Sequence, residues 1–235
     1  ERDINKAIHY LTLSSNQNDS NAQFCLGEIY YEGKYIDRDM NKTIQYLTLS
    51  SNQNNSYAQF LLGTIYCDCE YIKQDINKSI LYLTLSSNQN NSNAQFELGE
   101  IYYYGKYVER DINKAIHYLT LSSNQNNSDA QCLLGCIYRD GQYIDRDMNK
   151  AIHYLTLSSN QNNSNAQFYL GTIYFLGQYI DRDMNKSIYY LTLSSNQNNS
   201  KAQFILGTIY FLGQYIKRDM NKSIYYLTLS SNQNN

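Results

Sequence analysis

The sequence predicts an all-α protein built by stacking helix pairs into a solenoid, and three observations carry that expectation. Landmark residues recur every 36 positions, as Ala22, Ala58, Ala94, Ala130, Ala166 and Ala202 show. Each period holds two stretches whose apolar residues follow helical spacing. All 11 glycines fall at one of two places in the period, six in the series that starts at Gly27 and five in the series that starts at Gly33. A fixed period of roughly 20–50 residues is the mark of a repeat architecture. The organisation read from it is half a repeat at 1–19, then six repeats at 20–55, 56–91, 92–127, 128–163, 164–199 and 200–235. Since the chain opens and closes on repeat sequence, it reads as a piece of a longer array.

The first helix of each repeat is expected to start at a serine. Ser20, Ser56, Ser92, Ser128, Ser164 and Ser200 each open an S-x-x-Q string, the pattern of a capping box in which the hydroxyl takes the N3 amide and the glutamine returns to the cap. Behind it Ala22, Leu26, Ile29 and Tyr30 stand at i, i+4, i+7 and i+8, one apolar face. Gly33 and its copies close the helix. The second helix is expected to start at Asp3, Asp39, Asp75, Asp111, Asp147, Asp183 and Asp219, whose short acidic side chains suit both the N-cap and the helix dipole. Its inner face is Met40, Ile44 and Leu47, with Ser50 and Ser51 small enough for close approach. It runs out in "NQNNS", where Asn18 and its copies can take the left-handed conformation usually left to glycine.

Composition narrows the classes of function. The chain has 19 basic and 21 acidic residues, mixed along its length, so there is no basic block to neutralise phosphates and nucleic acid is not an expected partner. No stretch of about 18 apolar residues is present to span a bilayer, and direct membrane insertion is not expected. The five cysteines, Cys25, Cys67, Cys69, Cys132 and Cys136, are odd in number and keep no fixed repeat position. A reducing, cytoplasmic setting fits that better than a disulfide framework. The alternative is the lumen of the endoplasmic reticulum, since Asn18, Asn54, Asn90, Asn126, Asn162 and Asn198 each begin an N-x-S sequon. Cys67 and Cys69 form a C-x-C and Cys132 and Cys136 are four apart, but a repeat separates the two pairs. The reading is therefore packed thiols and no metal. His9, His117 and His153 share a position filled elsewhere by Gln45, Leu81, Tyr189 and Tyr225, with no accompanying nucleophile. No catalytic residue and no cofactor site is expected.

The string AQFxLGxIYxxGxYIxRDxNKAIxYLxLSSNQN resembles the Sel1-like repeat, a relative of the tetratricopeptide repeat, over the whole chain. Departures are local: polar residues such as Asp37, Lys73 and Glu109 replace a usual proline, serines replace paired alanines, and Cys69 replaces a turn glycine. The resemblance implies a right-handed superhelical α/α solenoid of 36-residue helix-turn-helix repeats. It also implies an interaction scaffold without chemistry of its own, since members serve as adaptors in ubiquitin-ligase complexes for protein degradation and in signalling assemblies. A regulatory arm for an enzyme, for example a protein kinase encoded outside these residues, is the alternative.

Copies within one chain can be compared with each other. In the first helix the most variable positions are those of residues 21, 25, 28 and 32, a single stripe. The resemblance places the first helix on the concave face, where a peptide or helical segment of a partner protein would lie. The first three repeats carry Glu28, Glu32, Asp68, Glu97, Glu100 and Tyr104 there; the last two carry Tyr169, Leu176, Ile205 and Leu212, with Phe175 and Phe211 beside them. These are the candidate partner-binding residues, acidic at one end and apolar at the other. The sequence names neither the partner nor an oligomeric state.

Overall fold

A computed structural model of the chain describes residues 2–67 and 70–233, with side chains from residue 4 onward. Among the described residues there are thirteen α-helices and no strand. A lone second helix, α1 (Arg2–Asn16), comes first. It is followed by the pairs α2 (Ser20–Glu32) and α3 (Met40–Asn52), α4 (Ser56–Cys67) and α5 (Ile76–Ser87), and α6 (Ser92–Tyr104) and α7 (Ile112–Asn124). The series continues with α8 (Ser128–Asp140) and α9 (Met148–Asn160), α10 (Ser164–Leu176) and α11 (Met184–Asn196), and α12 (Ser200–Leu212) and α13 (Met220–Ser231). The chain falls into two compact units, residues 1–122 and 123–235.

Local chemistry sets the helix ends. Asp39 Oδ1 accepts from the Lys42 amide at 3.0 Å, and Asp75, Asp111, Asp147, Asp183 and Asp219 do the same for their helices. Asn18, Asn54, Asn90, Asn126, Asn162 and Asn198 all have positive φ, between 60° and 67°. Both features were expected, except that Asp3, the first of the expected caps, falls inside α1.

The start of the first helix was not. The residue before the serine is the cap: Asn55 Oδ1 accepts from the amides of Tyr57 and Ala58, and Asp19 and the later asparagines act in the same way. Ser20 and its copies are the first helical residues, not caps. The glutamine does not turn back to the cap either. Gln59 is buried; its Nε2 donates to the Ser51 carbonyl at 3.3 Å, and its Oε1 accepts from Gln89 Nε2 at 2.6 Å. The capping box expected from S-x-x-Q is thus replaced by an Asn or Asp cap. A carboxylate or amide one residue earlier takes the N2 and N3 amides counted from its own position, and that frees the glutamine for the interior.

Within each pair the helices pack at a glycine. A Cβ on Gly63 would lie 2.6 Å from Leu83 Cγ, so α4 can approach α5 only where residue 63 has no side chain. Leu26, Leu62, Leu98, Leu134, Leu170 and Leu206 of the first helices and Leu47, Leu83, Leu119, Leu155 and Leu191 of the second are fully buried, whereas Leu11 and Leu227 in the first and last helices are half-buried. First helices of neighbouring repeats touch one another, α4 with α6 in the first unit and α8 with α10 in the second.

Candidate functional site

In the interior, hydrogen bonds between groups 30 residues apart tie the start of the first helix to the end of the second helix of the same repeat. Ser86 Oγ donates to the Ser56 carbonyl at 2.7 Å, beside the Gln59–Gln89 bond, and Ser194 and Gln197 repeat the arrangement with Ser164 and Gln167. At the opposite end of the pair, Arg182 Nε donates to the Phe175 carbonyl at 2.8 Å, and its guanidinium lies 4.1 Å from the Tyr215 ring of the following repeat. Tyr174 and Tyr190 stack between the two helices, 6.1 Å apart, with Lys186 Nζ over the Tyr174 ring. Among these side chains, the arginine satisfies carbonyls left open where the first helix ends. They are scaffold, and they explain why the same letters recur.

The changing stripe stands outside this framework. Of its positions, those of residues 21 and 32 are exposed and those of residues 25 and 28 are half-buried in nearly every described copy. In the first unit Glu28, Glu97 and Glu100 are half-buried while Glu32 and Tyr104 are exposed; Asp68 lies outside the described residues. Burial pushes the Glu97 carboxyl above its ordinary value. Glu28 is raised too, first by burial and then by the like charge of Glu32. No salt bridge within the described residues involves Glu28, Glu32 or Glu97.

The second unit differs. Leu176 and Leu212 are 50% and 49% exposed, and Phe211 is exposed beside Leu212. Leu176 borders a cavity of about 380 Å³ that it shares with Ile173, Tyr179, Met148 and Arg146. Tyr169 and Ile205 are less available than the pattern suggested. Tyr169 packs against the α8 side chains, with the Arg139 guanidinium 4.4 Å from its ring. Ile205 packs on the core formed by Leu191, Ala202, Leu206 and Ile209. The stripe positions nearest the core are therefore partly committed to packing between neighbouring first helices. Spacing along one helix cannot reveal that.

His9, His117 and His153 are all exposed. Among the described residues no group of three or more His, Cys, Asp or Glu side chains could hold a metal ion, and no helix is long and apolar enough to cross a membrane. Cys69, which completes the C-x-C, lies outside the described residues.

Helix pairs built on one repeated interior network, with the most variable first-helix positions forming a stripe, define an all-α solenoid repeat protein. The Sel1 repeat pattern matches residues 1–19, 20–55, 56–91, 92–127, 128–163, 164–199 and 200–235, so the chain belongs to the Sel1 repeat family. Among solved structures it is similar to a Sel1 repeat protein from Oxalobacter formigenes, with 26% identity, a TM-score of 0.81, and coverage of 92% of this chain and 89% of that one. It is also similar in fold to c5321, a protective antigen of uropathogenic Escherichia coli strains with an SLR fold, at 21% identity and a TM-score of 0.61, covering 96% of this chain and 56% of that one. The immunity protein Pa5087 of Pseudomonas aeruginosa shares the fold at 16% identity and a TM-score of 0.54, with 91% of this chain and 81% of that chain covered. No curated protein matches by sequence. Sel1 repeat proteins generally mediate protein–protein interaction and are generally not catalytic.

Proposed function

We propose that the chain is an interaction scaffold whose recognition surface is the variable stripe of the first helices, acidic in the first unit and apolar in the second. One observation carries the reading: Glu28 and Glu97 are held half-buried, their carboxyls raised above the ordinary value, with no salt bridge to a cation among the described residues. A half-buried carboxylate without a counter-charge costs stability, and a scaffold under no other demand would lose it at a solvent-facing position. A lysine or arginine on a partner segment relieves that cost. In the second unit, exposed Leu176, Phe211 and Leu212 favour an apolar segment over a charged one.

The test compares affinity pull-downs, read by mass spectrometry, from the native chain and two variants. One carries Glu28→Gln, Glu32→Gln and Glu97→Gln; the other carries Leu176→Glu and Leu212→Glu. Tyr169 and Ile205 are left intact because their side chains pack internally. Circular dichroism first establishes equal helical content. The expected result is a partner whose recovery falls at least tenfold with the glutamine variant and weakens with added salt, or one lost with the glutamate variant. Three coincident partner sets would overturn the reading. The partner recovered would also decide between a degradation complex, a signalling complex and an enzyme for which these repeats form a regulatory arm.

A further inference from the structure

Within the second unit, the end of α8 and the turn after it meet the end of α10 and its turn across a cavity of about 380 Å³. The same place one repeat later is nearly closed. There Phe175, Met184, Ile209, Leu212, Gln214 and Tyr215, each 36 residues on from a residue that lines the first space, surround about 10 Å³. A single water needs about 10–15 Å³, so the later space holds nothing larger. The earlier one lies in the range of small-molecule sites, ~300–1,000 Å³.

The frame around the two spaces is the same. Arg146 Nε donates to the Arg139 carbonyl at 2.8 Å, and Arg182 Nε donates to the Phe175 carbonyl at 2.8 Å. Their guanidiniums lie 4.0 Å and 4.1 Å from the rings of Tyr179 and Tyr215. What differs is the filling, since Arg139 and Asp140 stand where the next repeat has Phe175 and Leu176. Phe175 packs on the core of Leu191, Ala202, Leu206 and Ile209. Arg139 instead bonds through Nε to Asp140 Oδ1 at 2.7 Å and covers the Tyr169 ring at 4.4 Å. The phenyl volume is left open, with Met148, Ile173, Leu176 and Tyr179 as its apolar wall.

The opening also carries a charge. Arg146 spends Nε and Nη2 on the carbonyls of Arg139 and Asp140. Of the N–H donors of Arg139, whose side chain is 26% exposed, only Nε is bonded within the described residues. Its terminal nitrogens keep the fork that fits a carboxylate. Asp140 offsets part of the charge and repels a second negative one, which favours a monoanion over a phosphate dianion. A benzene ring occupies a dry cavity of roughly 150 Å³, so the space takes a pair of fused rings or one ring with a short chain. We propose that this cavity binds a small monocarboxylate with an apolar body, the carboxylate on Arg139 and the body against Ile173, Leu176 and Tyr179. The site needs no protein partner, so it stands or falls apart from the scaffold reading, although Asp140 and Leu176 occupy stripe positions.

A free acid and the C-terminal residue of a peptide offer the same chemistry, and the test separates them. Naphthylacetate, naphthylacetamide and an acetylated tripeptide ending in phenylalanine are titrated into the 235-residue chain by isothermal calorimetry. One naphthylacetate per chain is expected, with the uncharged amide at least tenfold weaker. Arg139→Gln keeps the space and is expected to weaken the acid about tenfold while leaving the amide unchanged. Arg139→Phe combined with Asp140→Leu restores the residues that the next repeat carries, and is expected to abolish binding of both at unchanged helical content. Undiminished binding to the double variant, or no saturable binding of naphthylacetate to the native chain at millimolar concentration, would overturn the site. Equal affinity for acid and amide, or unchanged acid affinity with Arg139→Gln, would overturn Arg139 as the carboxylate partner. A tripeptide that binds more tightly than naphthylacetate assigns the site to a chain end, and the reverse order assigns it to a free acid.

Discussion

The second-helix position of Thr43 is a small buried site, filled by Ser79, Ala115, Ala151, Ser187 and Ser223 in later copies. Where it holds Thr43, Ser79 or Ser187, the hydroxyl is buried without a hydrogen-bond partner. Ala115 and Ala151 fill the same space at no such cost, and alanine is also the better helix former. Ser187→Ala is therefore expected to stabilise the chain by about 1 kcal/mol, read as a higher denaturant midpoint at unchanged slope. A lower midpoint would mean that the hydroxyl makes a bond through water. Gln59 shows the opposite economy: both ends of its amide are satisfied, so a polar side chain can remain in the interior. The same accounting applies to Glu97, whose carboxyl is raised by burial and has no salt bridge among the described residues to offset it.

Each helix pair depends on a glycine that lets two backbones meet. Gly63 has ordinary helical φ, so conformational freedom is not what it supplies; space is, because Leu83 Cγ and the Leu83 amide would lie 2.6 Å and 3.1 Å from an added Cβ. Gly63→Ala is expected to cost about 1–3 kcal/mol by overpacking, measured by equilibrium unfolding, whereas alanine on the exposed face of α4 should change little. Gly105 has a different duty: its φ of 63° ends α6 in the left-handed region, and its amide donates to the Ile101 carbonyl. The loop that follows is held by arginine, as Arg146 shows, donating to the carbonyls of Arg139 and Asp140 while covering Tyr179. Helix ends and turns thus rest on recurring side chains, which leaves the stripe positions free to differ from copy to copy.

Because repeats meet their neighbours through recurring contacts, such as Gln59 on the Ser51 carbonyl and Arg182 over Tyr215, stability should come from repeat and nearest-neighbour contributions. Removing residues 164–199 joins Asn163 to Ser200, which preserves the Asn cap and the following S-x-A-Q string. The shortened chain is expected to keep its helical signal per residue and a cooperative unfolding transition at a lower midpoint. Collapse of the signal on circular dichroism would show that the repeats are not interchangeable. The helix pairs, the Asp caps and the left-handed asparagines were legible in the sequence because each depends on residues within a few positions of one another. The glutamine's place in the interior, the cap one residue before the serine, and the packing of Tyr169 against the α8 thiols were not. Gln59 finds its partner 30 residues away, and Tyr169 meets Cys136 across a whole repeat. Chain order carries the period and the local caps, whereas the choice among polar partners, and the meeting of Arg139 with the Tyr169 ring, arises only when helices distant in sequence close on each other and water is excluded.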